Sequence, residues 1–334
     1  MERLSFSIFQ FLFIYSNIFL MVRRFKWKIN TNINQLLIEL EAARLVFSGR
    51  KTNPQVEENL HKSALLKSAI YSARIEGLPD TLSSPKQDSQ NLVRAYGYVY
   101  SQRSPRELTL RSVKRMHKLA GFSGQWRSEP WAIFNEGGQV VHMAPAHFKL
   151  PGLMEEYKEW VNKLREPVGI IAAVAQFGFE KIHPFADGNG RVGRLVSAFI
   201  LAKNGYEFAG LAPFEEYIDK NRGDYYAALE PSSDATDFIE FFLDAVVTQA
   251  RGGLEELGGE VNRDESLLPR RREILEVIRD HPNCSFDFIA RRFMAIKSSA
   301  LHYDLAQLMK AGLVKKLGVS RGVVYRERVK SIGT

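Results

Sequence analysis

Residues 183–194 read HPFADGNGRVGR. The stretch decides the fold because Gly188-Asn189-Gly190-Arg191-Val192-Gly193 has the spacing G-x-G-x-x-G, the pattern that opens the helix after the first strand of a parallel dinucleotide-binding sheet. That reading requires a strand immediately upstream. The preceding run, GIIAAVAQFGFEKI (169–182), instead places Ile170, Val174, Phe177 and Ile182 mainly on one helical stripe. The context is helix–loop–helix, which excludes a Rossmann turn.

Working outward, helical spacing recurs at Leu36, Leu37, Leu40, Ala43 and Leu45, then at Leu65, Leu66, Ala69, Ile70, Ala73 and Ile75. It returns over 108–119, 153–164, 192–202 and 236–247. The expected fold class is therefore mainly α. One departure, WAIFNEGGQVVHM (131–143), has two β-prone runs around Asn135-Glu136-Gly137-Gly138 and reads as a hairpin. RGGLEELGGE (251–260) carries four glycines and reads as the start of a linker over 251–265. Beyond it the spacing predicts helices over 269–280, 286–293 and 297–310, with Ser285 as an N-cap and Gly312 as a stop. LVKKLG and VVYRER then form two short strands with Arg321 at the tip between them. Three helices followed by a basic hairpin is the winged helix-turn-helix order, with the third helix placed to read DNA or, equally, to contact protein. The expected units are 1–32, 33–105, 106–250, the linker 251–265, and 266–334.

The 334 residues have the composition of a globular chain, 45% hydrophobic and 25% charged, with a net charge of +8. From Glu265 onward there are 14 Lys and Arg against 7 Asp and Glu, so the excess sits in the C-terminal unit. Such a balance favours acidic partners without specifying a fold. A single cysteine, Cys284, excludes an intrachain disulfide and a cysteine-rich zinc site, and points to a cytoplasmic chain. Residues 4–22 are uncharged and followed by Arg23, Arg24, Lys26 and Lys28. They read either as a membrane anchor that keeps the rest cytoplasmic or as sequence upstream of a true start at Met21 in place of Met1.

The loop itself is built for an anion. Gly188 and Gly190 permit positive φ and close backbone approach. The helix that follows offers free N–H groups and a positive dipole end. Arg191 and Arg194 lie one turn apart and predict a di- or triphosphate between them. Asp187 beside a polyphosphate suits Mg²⁺, which keeps most of its waters and takes one or two protein ligands. His183 suits a general base acting on a hydroxyl. Phe185 is expected to anchor the loop in the core. Together these residues describe nucleotidyl transfer.

HPFADGNGRVGR resembles the signature of the Fic family, HPFx(D/E)GNGRxxR, without departure. The resemblance implies an all-helical Fic-type domain with a β-hairpin flap, and transfer of AMP from ATP to a Ser, Thr or Tyr hydroxyl of a protein. By the same resemblance His183 is the base, Asp187 binds Mg²⁺, and Gly188, Asn189 and Gly190 form the anion hole. Arg194 holds the γ-phosphate, and the flap at 131–143 docks an extended segment of the target. NRGDYYAAL (221–229) resembles the adenine-pocket segment, with Asn221 reading the base and Tyr225 packing on it. SARIEG (72–77) is similar to the family's inhibitory helix: Ser72 and Glu76 share a helical face, Gly77 ends it, and Glu76 is expected to occupy Arg194 in place of phosphate. The remaining readings are a Fic-type phosphotransferase and a DNA-binding winged-helix regulator with a Fic-type sensor domain. Self-modification and homodimerisation are further expectations that follow from the family.

Overall fold

The computed structural model describes residues 25–49, 54–82, 85–134, 140–206, 208, 212–230, 233–258, 267–318 and 323–328. The hydrophobic segment 4–22, the hairpin turn at 135–139 and the wing tip carrying Arg321 lie outside these. No helix among the described residues is long and apolar enough to cross a membrane.

The chain is mainly α. In order come α1 (Thr31–Gly49), α2 (Pro54–Ile75), α3 (Gln87–Tyr100), α4 (Leu110–Leu119), a hairpin of β1 (Ala132–Phe134) and β2 (Val140–Met143), and α5 (Leu150–Lys163). Then follow α6 (Val168–Ile182), α7 (Asn189–Lys203), α8 (Phe214–Lys220), α9 (Arg222–Leu229) and α10 (Thr236–Gly258). The last elements are α11 (Pro269–Asp280), β3 (Cys284–Ser285), α12 (Phe286–Arg292), α13 (Ser298–Lys310), β4 (Val314–Leu317) and β5 (Val324–Glu327).

The antiparallel pair α6 and α7 forms the centre. Both are apolar nearly all round and both are buried, as expected of a helix surrounded by others. α10 packs on α6 and α1, α3 packs on α7, and α2 lies across α3 and α8. One continuous core runs from Phe25 to Ala250, so residues on both sides of the expected boundary at 105/106 share it. Leu45, placed on the apolar stripe by spacing, is more than half exposed.

The expected linker is corrected in part. α10 runs without interruption to Gly258, through Gly252 and Gly253. A helical glycine costs about 1 kcal/mol relative to alanine. Leu254 packing on the core and an ion pair from Arg251 to Glu39 offset that cost. The rest of the expected linker, 259–265, lies outside the described residues.

A second core joins Ile274, Leu275, Ile278, Ile289, Leu301, Leu305, Leu308 and Tyr325. Ser285 Oγ accepts the Phe288 N–H at 3.2 Å and caps α12. A third strand absent from the sequence reading, β3, pairs antiparallel with β5, giving the order β3-β5-β4 with Cys284 opposite Tyr325. Two residues are too short a run to register as a strand by period alone.

Candidate active site

The loop between α6 and α7 is held from three directions. His183 ends α6 in the left-handed region, φ 49° and ψ 61°, which is uncommon for a residue other than glycine. Arg127 secures that conformation. Its Nε donates to the His183 carbonyl at 2.8 Å, its Nη1 to the Glu129 carbonyl at 2.8 Å, and its Nη2 to the Pro145 carbonyl. The Arg127 N–H also donates to the Pro184 carbonyl at 2.9 Å. One buried guanidinium thus ties the loop to both stems of the β1–β2 hairpin.

Asn189 and Phe185 brace the loop from within. Asn189 Oδ1 accepts the Phe185 N–H, and its Nδ2 donates to the Phe185 carbonyl, both at 2.9 Å. Phe185 is fully buried, stacked on His117 at 3.6 Å between ring centroids. His117 Nδ1 accepts the Gly124 N–H at 2.9 Å, so the proton is on Nε2, which donates to the Asp187 carbonyl at 3.1 Å. Burial lowers the His117 pKa to about 4, which keeps the ring neutral in this role.

Gly188 caps α7 with φ 79°, and a Cβ there would lie 2.5 Å from the Phe122 ring. The first bond of α7 runs from Val192 N–H to the Gly188 carbonyl at 3.0 Å, so the N–H groups of Asn189, Gly190 and Arg191 precede the intrahelical ladder. Gly190 is helical, contrary to the expected positive φ. Its lack of a side chain serves close approach instead, since a Cβ would meet Glu76 Oε1 at 2.3 Å. A carboxylate therefore lies against the N-terminus of α7, where the helix dipole favours negative charge.

That carboxylate belongs to the end of α2. Gly77, at φ 80°, turns the chain out of the helix. Arg194 Nη2 donates to Glu76 Oε1 at 2.8 Å and to the Ser72 carbonyl at 2.9 Å, and Nε donates to Ser72 Oγ at 3.0 Å. The Arg194 side chain is 0% exposed and Glu76 29%. Burial opposes the charge on Arg194, but Glu76, Tyr225 and Tyr96 outweigh it and hold its pKa above the usual arginine range. Its Nη1 is buried without a hydrogen-bond partner.

A cavity of about 680 Å³ opens beside this pair, lined among others by Glu76, Trp131, Glu180, His183, Gly190, Arg194, Tyr225 and Tyr226. The His183 ring stacks on Trp131 at 3.4 Å between centroids, which sets the imidazole against the base of the flap. Three lining residues escaped the sequence reading. The sequence pattern marks Trp131 only as the start of a hairpin. Tyr226, next to Tyr225, is half exposed and donates to the Ile75 carbonyl at 3.1 Å. Glu180, one turn before His183, has a buried Oε1 without a hydrogen-bond partner. A Cβ on Gly193 would be 2.7 Å from that oxygen, so the second glycine of GRVGR makes room for it. Burial, and then the charge of Glu76, raise the Glu180 pKa to about 8.

The structure thus brings His183, Gly190, Arg194, Tyr225 and Glu76 to one cavity, with Ser72 behind Arg194. Two expectations are corrected. Arg191 does not join Arg194: its guanidinium lies over Phe122 at 4.4 Å and reaches Asp187 at 3.3 Å. Residues three apart on a helix diverge by about 60°; Phe122 captures one arginine while α2 captures the other. The expectation for Asn189 concerns its backbone N–H, which precedes the α7 ladder; its side chain braces the loop. Asn221 donates its Nδ2 to the Tyr217 carbonyl at 2.9 Å and is absent from the cavity wall. Tyr225 is buried in an aromatic cluster and accepts a bond from Gln176 at 2.9 Å; Tyr226 is the more exposed ring.

Asp187 sits on the open side of the loop, with its side chain 74% exposed. Among the described residues no three potential metal ligands cluster. A single exposed carboxylate suits a hydrated Mg²⁺ carried largely by phosphate oxygens, and does not suit a caged ion.

Comparison with known proteins bears on the family and the fold. Residues 107–201 match the Fic/DOC family. The chain is 29% identical over 150 residues to a protein adenylyltransferase Fic of Drosophila grimshawi, covering 41% of this chain and 28% of the relative. It is 33% identical over 109 residues to one of Aedes aegypti, covering 31% and 20%. The matched region thus spans less than a third of these relatives' length. Among solved structures, a Fic family protein from Desulfovibrio desulfuricans G20 is similar over 91% of this chain and 98% of its own, at 22% identity and a TM-score of 0.57. A Fic domain containing signaling protein from Bacteroides thetaiotaomicron covers 69% and 98%, at 17% identity and a TM-score of 0.51. At these identities the likeness is one of fold.

Proposed function

Because this chain is a Fic-domain protein, with the Fic/DOC match at residues 107–201, we propose that it transfers AMP from ATP to a hydroxyl of a protein and is held inactive by Glu76. The observation that carries the reading is the Glu76 carboxylate bound to Arg194 against the N-terminus of α7, because a carboxylate there marks a place made for a phosphate.

In the proposed reaction an acceptor Ser, Thr or Tyr oxygen attacks the α-phosphorus of ATP. His183 takes the hydroxyl proton, the bond from the α-phosphorus to the bridging oxygen breaks, and diphosphate leaves. The stack on Trp131 and the grip of Arg127 on the His183 carbonyl hold the imidazole ready. The N–H groups at the start of α7 and the Arg194 guanidinium take up negative charge on the phosphates. Mg²⁺ held at Asp187 would neutralise phosphate charge. Glu76 and a phosphate compete for the same guanidinium, so the inhibited state ends when the carboxylate leaves.

The hairpin β1–β2 starts beside Trp131, which lines the cavity, and is read as the docking edge for the target. α11 to β5 follow the winged helix-turn-helix order and are read as a unit that selects a partner. Cytoplasmic placement is part of the same proposal, supported by the lone Cys284, buried and unpaired.

The decisive test uses His183→Ala. Incubated with labelled ATP and Mg²⁺, the Glu76→Gly protein is expected to acquire AMP, identified by mass spectrometry, at a level well above wild type. His183→Ala is expected to retain ATP binding and transfer nothing. Substantial transfer by His183→Ala removes His183 as the base, and phosphate in place of AMP on the product removes the adenylyl reading.

A further inference from the structure

The exposed face of α4 carries only positive charge. Arg111, Lys114, Arg115 and Lys118 fall at i, i+3, i+4 and i+7, one continuous stripe about 10 Å long, and the ten residues of the helix contain no acid. The opposite face is anchored by buried Val113 and Met116. Arg103 joins the stripe from the connection after α3, and the five cations line a groove of about 840 Å³ with no acidic side chain in its wall. Among the described residues none of the five forms an ion pair, although ion pairs are frequent on other helices of the molecule, as at Lys62–Glu58 and Lys163–Glu159. Like charges three and four apart repel, so the stripe destabilises its own helix unless an anion neutralises it.

Two cations are already positioned. Lys114 lies over the Trp126 ring at 4.6 Å and Arg115 over Tyr98 at 5.1 Å. Trp126 also packs on Phe185, centroid to centroid 4.8 Å. Tyr98, the aromatic side chain in the groove wall, carries the Arg115 guanidinium on its ring and is not presented bare for a nucleic-acid base to stack on, as single-strand binding uses. The groove reads charge, not bases. Carboxylates at alternate positions of an extended chain recur about every 6.6 Å, close to the 5.4 Å rise of one helical turn.

The groove also abuts the catalytic loop. His117 on α4 donates to the Asp187 carbonyl, Trp126 packs on Phe185, and the next residue, Arg127, holds the His183 carbonyl. We propose that the groove formed by Arg103, Arg111, Lys114, Arg115 and Lys118 binds an acidic segment of the protein substrate and so selects targets by charge beside the site of transfer. The inference rests on the transferase reading for the identity of the partner, but not for the binding itself.

The test measures fluorescence anisotropy of a fluorescein-labelled decapeptide of alternating glutamate and glycine with the full-length chain. The wild type is expected to bind it with an affinity that falls steeply with salt. The Arg111→Glu, Lys118→Glu protein is expected to bind at least tenfold more weakly, and the Arg111→Gln, Lys118→Gln protein several-fold more weakly, which guards against misfolding of the reversed variant. Lys62→Glu, Lys163→Glu, with the same net charge as the first variant, is expected to stay within twofold of wild type. Equal weakening in this control assigns the binding to overall charge and overturns the groove. Tighter binding of labelled decathymidylate, lost in the same Arg111 and Lys118 variants, overturns the choice of partner. Peptide binding through Arg111 and Lys118 without AMP transfer overturns the transferase reading alone; AMP transfer without peptide binding overturns the groove alone.

Discussion

Glu76→Ala separates the two consequences of the Arg194–Glu76 contact. The carboxylate is 2.8 Å from a guanidinium that is 0% exposed, but it is itself 29% exposed. A fully buried pair broken at one partner costs about 3–5 kcal/mol, while a charge-assisted hydrogen bond contributes about 1.5–3 kcal/mol. Water at Glu76 and the two bonds to Ser72 place this contact in the lower range, about 2–3 kcal/mol. Without nucleotide, Glu76→Ala should therefore melt about 5 °C below wild type, since 1 kcal/mol shifts the transition of a chain this large by about 2 °C. The same energy no longer opposes phosphate at Arg194. At about 1.4 kcal/mol per decade, initial labelling with ATP should rise about 30- to 150-fold. Both quantities are read on one preparation, by calorimetry and by incorporation of label. A variant that melts lower yet labels no faster refutes the brake and leaves a structural ion pair. Faster labelling without a fall in melting temperature refutes the energetic argument given for it.

Two further outcomes follow from residues around His183. The Glu180 pKa lies near 8 against an ordinary value of 4.5, so the folded chain holds this proton more tightly than the unfolded one. The associated stability is complete below about pH 4.5 and lost as pH rises to about 8; relative to Glu180→Gln, wild type should lose melting temperature progressively across that window, and parallel curves for the two proteins would contradict the assignment. Arg127→Met leaves three carbonyls without their donor, at about 1 kcal/mol each, and releases the left-handed turn at His183. It should lower kcat far more than it raises KM for ATP, and speed amide exchange at His183 and Phe185; an equal loss in both kinetic constants would mean that Arg127 supports the cavity as a whole.

Legibility in the sequence followed the range of the interaction. His183, Pro184, Phe185, Gly188 and Gly190 act within a few residues of one another, so spacing alone revealed an anion-binding turn between two helices. Glu76 and Arg194 meet across 118 positions, and only resemblance to a known motif linked them. Glu180 was illegible because a single acid in a helix ordinarily faces water; its burial depends on Gly193 in the neighbouring helix. Arg127 had no signal either, since its partners are backbone carbonyls that leave no trace in residue type. Spacing places Arg191 at the ligand and resemblance places Asn221 there; both are captured locally, one by an aromatic ring and one by the preceding turn. At Gly252 and Gly253 composition argued for a break, and tertiary packing of Leu254 overrode it.

The complete burial of the Arg194 side chain has a bearing on which molecules the cavity admits. A buried cation cannot simply be vacated: the group that leaves must be replaced by another of like sign, so entry is an ion exchange. An uncharged nucleoside could fill the volume and stack on the same rings, yet it would strand the guanidinium and bind poorly. Selection for a phosphorylated visitor is thereby decided by charge balance before the shape of its base is consulted.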